Sequence, residues 1–398
     1  MEKVAVFIFL WIFSTLYGMA QNSDIQQIVA GLQEKYAPDS RVELFQITAS
    51  QLNDTLVLRG ETTSREAYEE LLAQARKTQV QVKDHIRLLP DETLGEEIWG
   101  IIYNSTGTLR AEPRYGAELV SQALLGMPVR ILEQKFGWRR VQTPDRYIGW
   151  MNGSVAPMTD AQRQQYLKLP KVIVTSLHAR SFGDTGEEAL SVSDLVAGDM
   201  LVMKQAKGGF YQVQYPDGRE AFVKKSDVMT VSDWLKNNRL TGESIVNTAK
   251  QLLGVPYFWG GTSTKGMDCS GFTKQVYWMH GIVLARDASQ QVRYGKLIDE
   301  TGDFSNALPG DLVFFGTKAT TENPKERVVH VGIYIGDRRF IHASDYVRIN
   351  SLDPADPLYD EFNAHRYIRT KRVIGEVNSE GIEKIFENSF YHLTGNKK

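Results

Sequence analysis

The feature that most restricts what this chain can fold into is an internal repeat. A displacement of 72 positions lays Gly126 on Gly198, Val129 on Leu201 and Ile131 on Met203. It also lays Gly137-Trp138 on Gly209-Phe210, Val141 on Val213, Pro144-Asp145 on Pro216-Asp217 and Gly149-Trp150-Met151 on Ala221-Phe222-Val223, without a gap. The repeated segments are short, β-branched or aromatic, and separated by Gly and Pro-Asp turns. That is the pattern of small β-barrels, here two in tandem over about 98–230. Such a pair assigns no ligand by itself, because fold alone does not give function.

The chain opens on a different kind of segment. Lys3 precedes an apolar run from Val4 to Phe13, and Gly18-Met19-Ala20 offers small residues before Gln21. This reads as a secretory signal peptide over 1–20, too short for a normally flanked membrane span; an uncleaved anchor is the alternative. No cysteine stands near the cleavage site, which excludes a bacterial lipid anchor there. The expected location is therefore exported, periplasmic or extracellular. With 42% hydrophobic and 24% charged residues and a formal net charge of −2, the chain has a soluble globular composition. That excludes a disordered, fibrous or polytopic membrane protein. No basic excess suggests nucleic-acid binding, and no stable membrane insertion is expected once the leader is removed.

The expected organisation is multidomain α+β. A small α/β region covers 21–97, with a strand over 56–60 and a helix over 64–77 capped by Ser64; it shows no recognisable chemistry. The two β modules cover 98–165 and 166–235. An α+β domain follows over 236–375, and a tail over 376–398. Within the α+β domain, Ile245, Val246, Ala249, Leu252 and Leu253 form one helix face that Gly254 can end. A second helix begins near Cys269 and stops at Gly281. Strands are expected at Leu312–Phe315, Val328–Ile335 and Arg339–Ser344, the last two joined by a turn at Gly336-Asp337.

Cys269 is the only cysteine. It cannot form an internal disulfide, and a lone thiol in an oxidising compartment needs a chemical reason. It sits where the glycine-rich stretch Gly260-Gly261 and Asp268-Cys269-Ser270-Gly271 feeds a helix. Free first-turn N–H groups and the helix dipole there are expected to favour a thiolate, and they could also hold an oxyanion. A thiol nucleophile needs an imidazole. His330 and His342 lie six residues either side of Gly336, so a hairpin centred there would make them cross-strand neighbours, one facing the thiol and one orienting the first. The remaining histidines lack such pairing. Two other readings stay open: Cys269 as a small buried hydrophobe, and Cys269 with the two histidines as a zinc site.

With these residues set out, the sequence resembles a known family. Pro256-Tyr257-Phe258-Trp259-Gly260-Gly261, Asp268-Cys269-Ser270-Gly271-Phe272, Leu308-Pro309-Gly310-Asp311-Leu312, His330-Val331-Gly332-Ile333-Tyr334-Ile335-Gly336 and Ile341-His342-Ala343 follow, in order, the motifs of NlpC-type papain-like cell-wall cysteine peptidases. The resemblance covers about 241–372. It implies Cys269 as nucleophile, His330 as base and His342 as the orienting third member, with no metal and no cofactor.

The domain order extends the resemblance. A leader, a small region, two bacterial SH3-like domains and a catalytic domain are similar to the γ-D-glutamyl-L-diamino acid endopeptidases, the dipeptidyl-peptidase VI group. That implies peptidoglycan-derived peptides, L-Ala-γ-D-Glu-diamino acid, as substrates. It also implies a pocket of Tyr257, Asp268, Ser270 and Ser289, closed by Glu112 and Tyr147 from the first SH3-like domain. The substrate ammonium would then lie between Asp268 and Glu112. Two rival functions remain at this stage: a cell-wall binding protein with an idle catalytic domain, and a thiol-dependent amidase or acyltransferase acting elsewhere.

Overall fold

The two repeats form sheets with the same strand order. In the first barrel, neighbours run Val155–Met158, Trp99–Ile102, Pro128–Lys135, Trp138–Gln142, Ile148–Asn152, Thr106–Arg110, Leu119–Leu124. In the second they run Val228–Thr230, Lys171–Val174, Met200–Lys207, Phe210–Gln214, Glu220–Lys224, His178–Phe182, Ser191–Val196. The 72-residue displacement holds pair by pair. Arg130↔Gln142 becomes Val202↔Gln214, Lys135↔Trp138 becomes Lys207↔Phe210, and a bulge falls at Ile131/Glu133 in one and Met203/Gln205 in the other. A one-residue slip would turn every inward side chain outward, so buried Val141 and Val213, each on the inward face of its hairpin, pin the same register twice. The computed structural model describes residues 25–52, 54–78, 80–322 and 324–391; the expected leader lies outside them. No helix among the described residues is long and apolar enough to cross a membrane.

Residues up to Gly95 form a separate unit. A helix over 25–36 and the helix Arg65–Arg76 pack on three strands, Phe45–Leu52, Thr55–Thr62 and Gln81–Leu88. The last two are parallel and joined through the helix, a βαβ connection. Ser64 caps that helix by accepting from the Ala67 N–H at 3.1 Å.

From Glu96 onward the chain is one unit. Its α+β portion carries a six-stranded antiparallel sheet in the order Lys296–Asp299, Tyr367–Arg372, Leu312–Thr317, Arg327–Gly336, Arg339–Ser344, Tyr346–Ser351. The strand Leu312–Thr317 shows why a nearly continuous apolar run is needed at its centre. Leu312 and Phe314 point into the core shared with the helices Gly242–Gln251 and Cys269–Met279. Val313 and Phe315 point into a second core with Phe304, Tyr334, Phe340 and Tyr367. Alternate side chains of one strand thus serve opposite faces, both covered.

Two elements differ from expectation. Leu253 is exposed, because the helix Gly242–Gln251 ends before it and Gly254 turns the chain at φ +86°. The segment read as a tail is docked. Ile382–Lys384 pairs with Ile282–Leu284, Ile385 and Phe390 are buried, and the Phe390 ring meets Trp99 of the first barrel edge-on at 5.5 Å. Four apolar side chains, Ile382, Ile385, Phe390 and Tyr391, gave that segment a reason to leave solvent.

Candidate active site

Cys269 is the first residue of the helix Cys269–Met279 and belongs to the core beneath the sheet. The cap before it is elaborate. Asp268 accepts the Gly271 N–H at 2.7 Å and the Ser270 hydroxyl at 3.1 Å on Oδ1, and the Gly260 N–H at 3.1 Å on Oδ2. Arg286 adds a bidentate pair, Nη1 to Oδ1 at 3.1 Å and Nη2 to Oδ2 at 2.6 Å. Arg286 is 1% exposed and Asp268 6%, so each supplies the opposite charge that the other, buried from water, requires. Nη1 of Arg286 also donates to Ser270 Oγ at 3.0 Å. Arg286 was not singled out from the sequence; an isolated arginine after an apolar segment carries no local signal.

The thiol does not behave as the helix position alone suggests. Burial, then the Asp268 charge, push its pKa up to about 12. Desolvation outweighs the first-turn N–H groups, so the sulfur rests protonated. Backbone N–H groups of Val331 and Ser270, together with the Arg286 charge, act in the opposite sense and favour the anion.

Val331 follows His330, and its contact with the sulfur brings the strand Arg327–Gly336 to the helix. His330 and His342 do meet, but not as direct cross-strand neighbours. The turn is Asp337-Arg338, both at positive φ (50° and 56°), and the register runs Tyr334↔Phe340 and Ile333↔Ile341. One more step places Gly332 beside His342, and a Cβ there would lie 3.1 Å from that of His342. His330 is thus diagonal to His342, a separation of about 7–8 Å between backbones that the rings themselves span. A side chain at position 332 would crowd the space they use.

His330 Nε2 lies 2.7 Å from His342 Nδ1, and His342 Nε2 lies 2.9 Å from Asn350 Oδ1. Asn350 Nδ2 donates to the Leu358 carbonyl at 3.2 Å, which turns its oxygen toward His342. The proton positions follow by elimination. His342 donates from Nε2, so its Nδ1 accepts. His330 therefore donates from Nε2, and its Nδ1 carries the free lone pair. Burial, then the neighbouring His342, hold His330 well below the usual imidazole range. Burial likewise lowers His342 to about 4. Phe315 and Phe340 flank the rings at 5.8 and 4.7 Å between centroids. Asn350, which holds His342 in place, is a residue that sequence reading missed.

The remaining expected pocket residues are placed as follows. Tyr257 is half-buried beside Cys269 and Asp268, and burial and their charges raise its hydroxyl pKa. Ser270 is buried within the Asp268–Arg286 cluster. Ser289 is half-buried on the short helix Ala288–Gln291. Tyr147, from the first barrel, is 6% exposed and its hydroxyl donates to Asp287 Oδ2 at 3.2 Å, next to Arg286. Glu112 is exposed, and Arg114 donates to its carboxylate at 3.0 and 3.1 Å. The Asp268 carboxylate already receives five donors, with which a substrate ammonium would have to share it.

The first barrel docks directly on the loop leading to Cys269. Gly260, at φ +76°, passes so close to the Leu119 carbonyl that a Cβ would fall 2.3 Å from its oxygen. Trp259 Nε1 donates to Glu118 Oε1 at 2.8 Å, Arg286 Nε to Ser121 Oγ at 3.2 Å, and the Thr262 N–H to Gln122 Oε1 at 2.8 Å. A buried ion pair, Lys274 to Asp145 at 2.7 Å, ties the helix of Cys269 to the same barrel.

The NlpC/P60 family profile matches residues 254–372, and that of the bacterial dipeptidyl-peptidase SH3 domain matches residues 109–154. The chain is 31% identical over 269 residues to a γ-D-glutamyl-L-lysine dipeptidyl-peptidase of Bacillus cereus, covering 63% of this chain and 76% of that protein. The chain belongs to the NlpC/P60 family. A dipeptidyl-peptidase 6 of Lysinibacillus sphaericus is 28% identical, covering 65% of this chain and 93% of that one. The crystal structure of an NlpC/P60 family protein from Bacillus cereus superposes with a TM-score of 0.58 at 26% identity, covering 69% of this chain and 99% of that one. As a member of the NlpC/P60 family, the protein is a cysteine peptidase with SH3-like domains upstream.

Proposed function

We propose that this NlpC/P60 peptidase is exported and hydrolyses the bond between the γ-carboxyl of D-glutamate and the L-diamino acid in peptidoglycan stem peptides. The observation that carries the reading is the hydrogen-bonded row of His330, His342 and Asn350, begun one residue before Val331, whose N–H reaches the Cys269 sulfur, and set beside a barrel docked on the loop before Cys269. The names of the relatives in Bacillus cereus and Lysinibacillus sphaericus support the bond chosen.

In this reading Cys269 Sγ attacks the γ-glutamyl carbonyl carbon while His330 Nδ1 takes the thiol proton. The Val331 and Ser270 N–H groups ease the charge on sulfur as it forms. The tetrahedral oxyanion receives the Cys269 backbone N–H and the Tyr257 hydroxyl. The raised pKa of Tyr257 keeps that hydroxyl protonated, and so able to donate, at neutral pH. His330 then returns its proton to the departing α-amine, the C–N bond breaks, and a thioester remains. Water, deprotonated by His330, attacks the thioester, and the thiol is regenerated.

The first barrel limits the acyl side of the cleft to two residues in this reading, L-alanine and γ-linked D-glutamate. With Asp268 already engaged by its donors, Glu112 is the carboxylate left to meet a free L-alanine ammonium. Arg114 would give up its contact when that ammonium binds. Intact wall, where L-alanine is amide-linked, would then be a poor substrate. The experiment compares kcat/KM on the free tripeptide, its N-acetyl form and intact sacculi, with products identified by mass spectrometry, in wild type and Glu112→Gln. The expected result is a free dipeptide acid and a preference for the free amine that Glu112→Gln erodes. Equal rates on acetylated and free peptide would remove the free-amine requirement. Release of a transferred acyl product would remove the hydrolase assignment.

A further inference from the structure

The two barrels put the same positions of one sheet face to different uses. In the first, Glu133, Arg140, Trp150 and Arg110 form a row straight across four strands. That row is closed on itself. Arg140 pairs with Glu133 at 3.1 Å and stands 5.6 Å from the Trp150 ring, and Arg110 Nη1 donates to the Ala117 carbonyl at 2.7 Å. Displaced by 72 residues, the row in the second barrel reads Gln205, Gln212, Phe222 and Phe182. The adjacent row on that face is Lys207, Phe210 and Lys224, and one further step of the register adds Arg180.

This second face is open. Phe182, Phe210 and Phe222 are half-exposed, and Lys207, Lys224 and Arg180 are exposed. Among the described residues, none of the three cations has a carboxylate partner. Asp194, opposite Arg180 on the next strand, is engaged by Lys265 and by Ser105. Asp184, Glu187 and Glu188 in the loop after Phe182 pair with none of them. The Lys207 ammonium stands 5.1 Å from the Phe222 ring and that of Lys224 5.9 Å from Phe182. Gln205 Nε2 donates to Gln212 Oε1 at 2.6 Å and Gln212 Nε2 to Glu220 Oε2 at 3.1 Å, so two amides and one carboxylate form a polar strip beside the rings. At about 4.8 Å per strand, each row of four spans roughly 14 Å.

In a chain of net charge −2, three cations without carboxylate partners outweigh the one carboxylate of Glu220, which Gln212 holds, and call for an anionic ligand. The adjacent rings of Phe182 and Phe222, with Phe210 in the next row, suit the apolar faces of sugar rings, and the amides suit hydroxyls, which both donate and accept. We propose that this face of the second barrel binds an acidic glycan, a hexose polymer bearing carboxylates. The site is separate from Cys269 and does not depend on the peptide bond that Cys269 cleaves.

The test uses the full chain and calorimetric titration with four probes: peptide-free glycan strands of N-acetylglucosamine and muramic acid with free lactyl carboxylates, neutral chitopentaose, poly-L-glutamate, and oligo-dT. The acidic glycan should bind at least tenfold more tightly than chitopentaose. Lys207→Gln/Lys224→Gln should weaken it at least tenfold, as should Phe222→Ala, while tripeptide hydrolysis stays at the wild-type rate. The double lysine variant leaves the packed rings intact, so it decides the matter if Phe222→Ala lowers stability. Unchanged affinity in that variant, absence of binding by the wild type, or equal binding of poly-L-glutamate or oligo-dT would overturn the proposal.

Discussion

His330 Nε2 and His342 Nδ1 stand 2.7 Å apart, and with Asn350 Oδ1 2.9 Å beyond, only one arrangement of protons satisfies all three groups. That arrangement leaves the free lone pair of His330 on Nδ1. Asn350→Ala would strand the buried His342 N–H and release the tautomer. Turnover should fall about ten- to a hundred-fold, by analogy with the loss when the hydrogen-bond partner of a metal-ligating histidine is removed. His342→Gln should fall in the same range and His330→Ala much further. Steady-state kinetics on the tripeptide rank the three, and an Asn350→Ala enzyme at full rate would make Asn350 a packing residue.

Cys269→Ala should lower turnover by roughly four orders of magnitude or more with an unchanged melting profile, because alanine fills nearly the same buried space. Alkylation of the sole cysteine should inactivate the enzyme at one equivalent, read by intact mass and residual activity.

The raised thiol pKa and the lowered His330 pKa together make the resting pair neutral. Alkylation by iodoacetamide should therefore be slow near pH 7 and climb with pH above it. The acid limb of kcat/KM should fall below pH 6.5, where His330 finally takes a proton and can no longer accept one. An alkylation rate that is flat from pH 5 to 9 would show a preformed thiolate instead.

Stability should depend on pH with a definite sign. The unfolded chain protonates its histidines near pH 6.5, whereas burial holds His342 at about 4 and His330 well below its ordinary value. Between those values the unfolded state binds more protons. The histidine contribution is thus full above pH 6.5 and lost as pH falls through about 4. For His342 alone this is about 3 kcal/mol. Denaturant midpoints across that window should drop in wild type and drop less in His342→Gln.

The buried pair of Lys274 and Asp145 joins the nucleophile helix to the first barrel. Lys274→Met leaves a carboxylate stranded and should cost about 3–5 kcal/mol, whereas Lys274→Met/Asp145→Leu should recover most of that. Chemical denaturation of both variants tests the coupling.

Much of the fold could be read along the chain because its signals are local or periodic. The matching registers of the two barrels follow from a repeat with no gap, and the helix beginning near Cys269 follows from the glycine-rich stretch that feeds it. What could not be read depends on distant pairing. Arg286 matters through Asp268 and Ser121, and Asn350 through a hairpin that brings it diagonally across from His342. The offset of His330 by two residues arose from a turn at Asp337-Arg338 that takes positive φ without a glycine to mark it. The donors around Asp268 could not be read either, because the five come from four separate residues, two of them through backbone N–H groups.

The docking of Phe390 against Trp99 has a consequence for how this chain becomes an enzyme. These rings are joined across nearly the whole folded unit, and Asn388 also reaches back to the Pro144 carbonyl at 2.9 Å. A segment late in the chain thus fastens a barrel that precedes the catalytic portion. Modules that are consecutive as translated are therefore not separable as folded. A fragment begun at the catalytic helix lacks the surface its own end closes on, and a chain stopped before Ile382 leaves the opening barrel without its clasp.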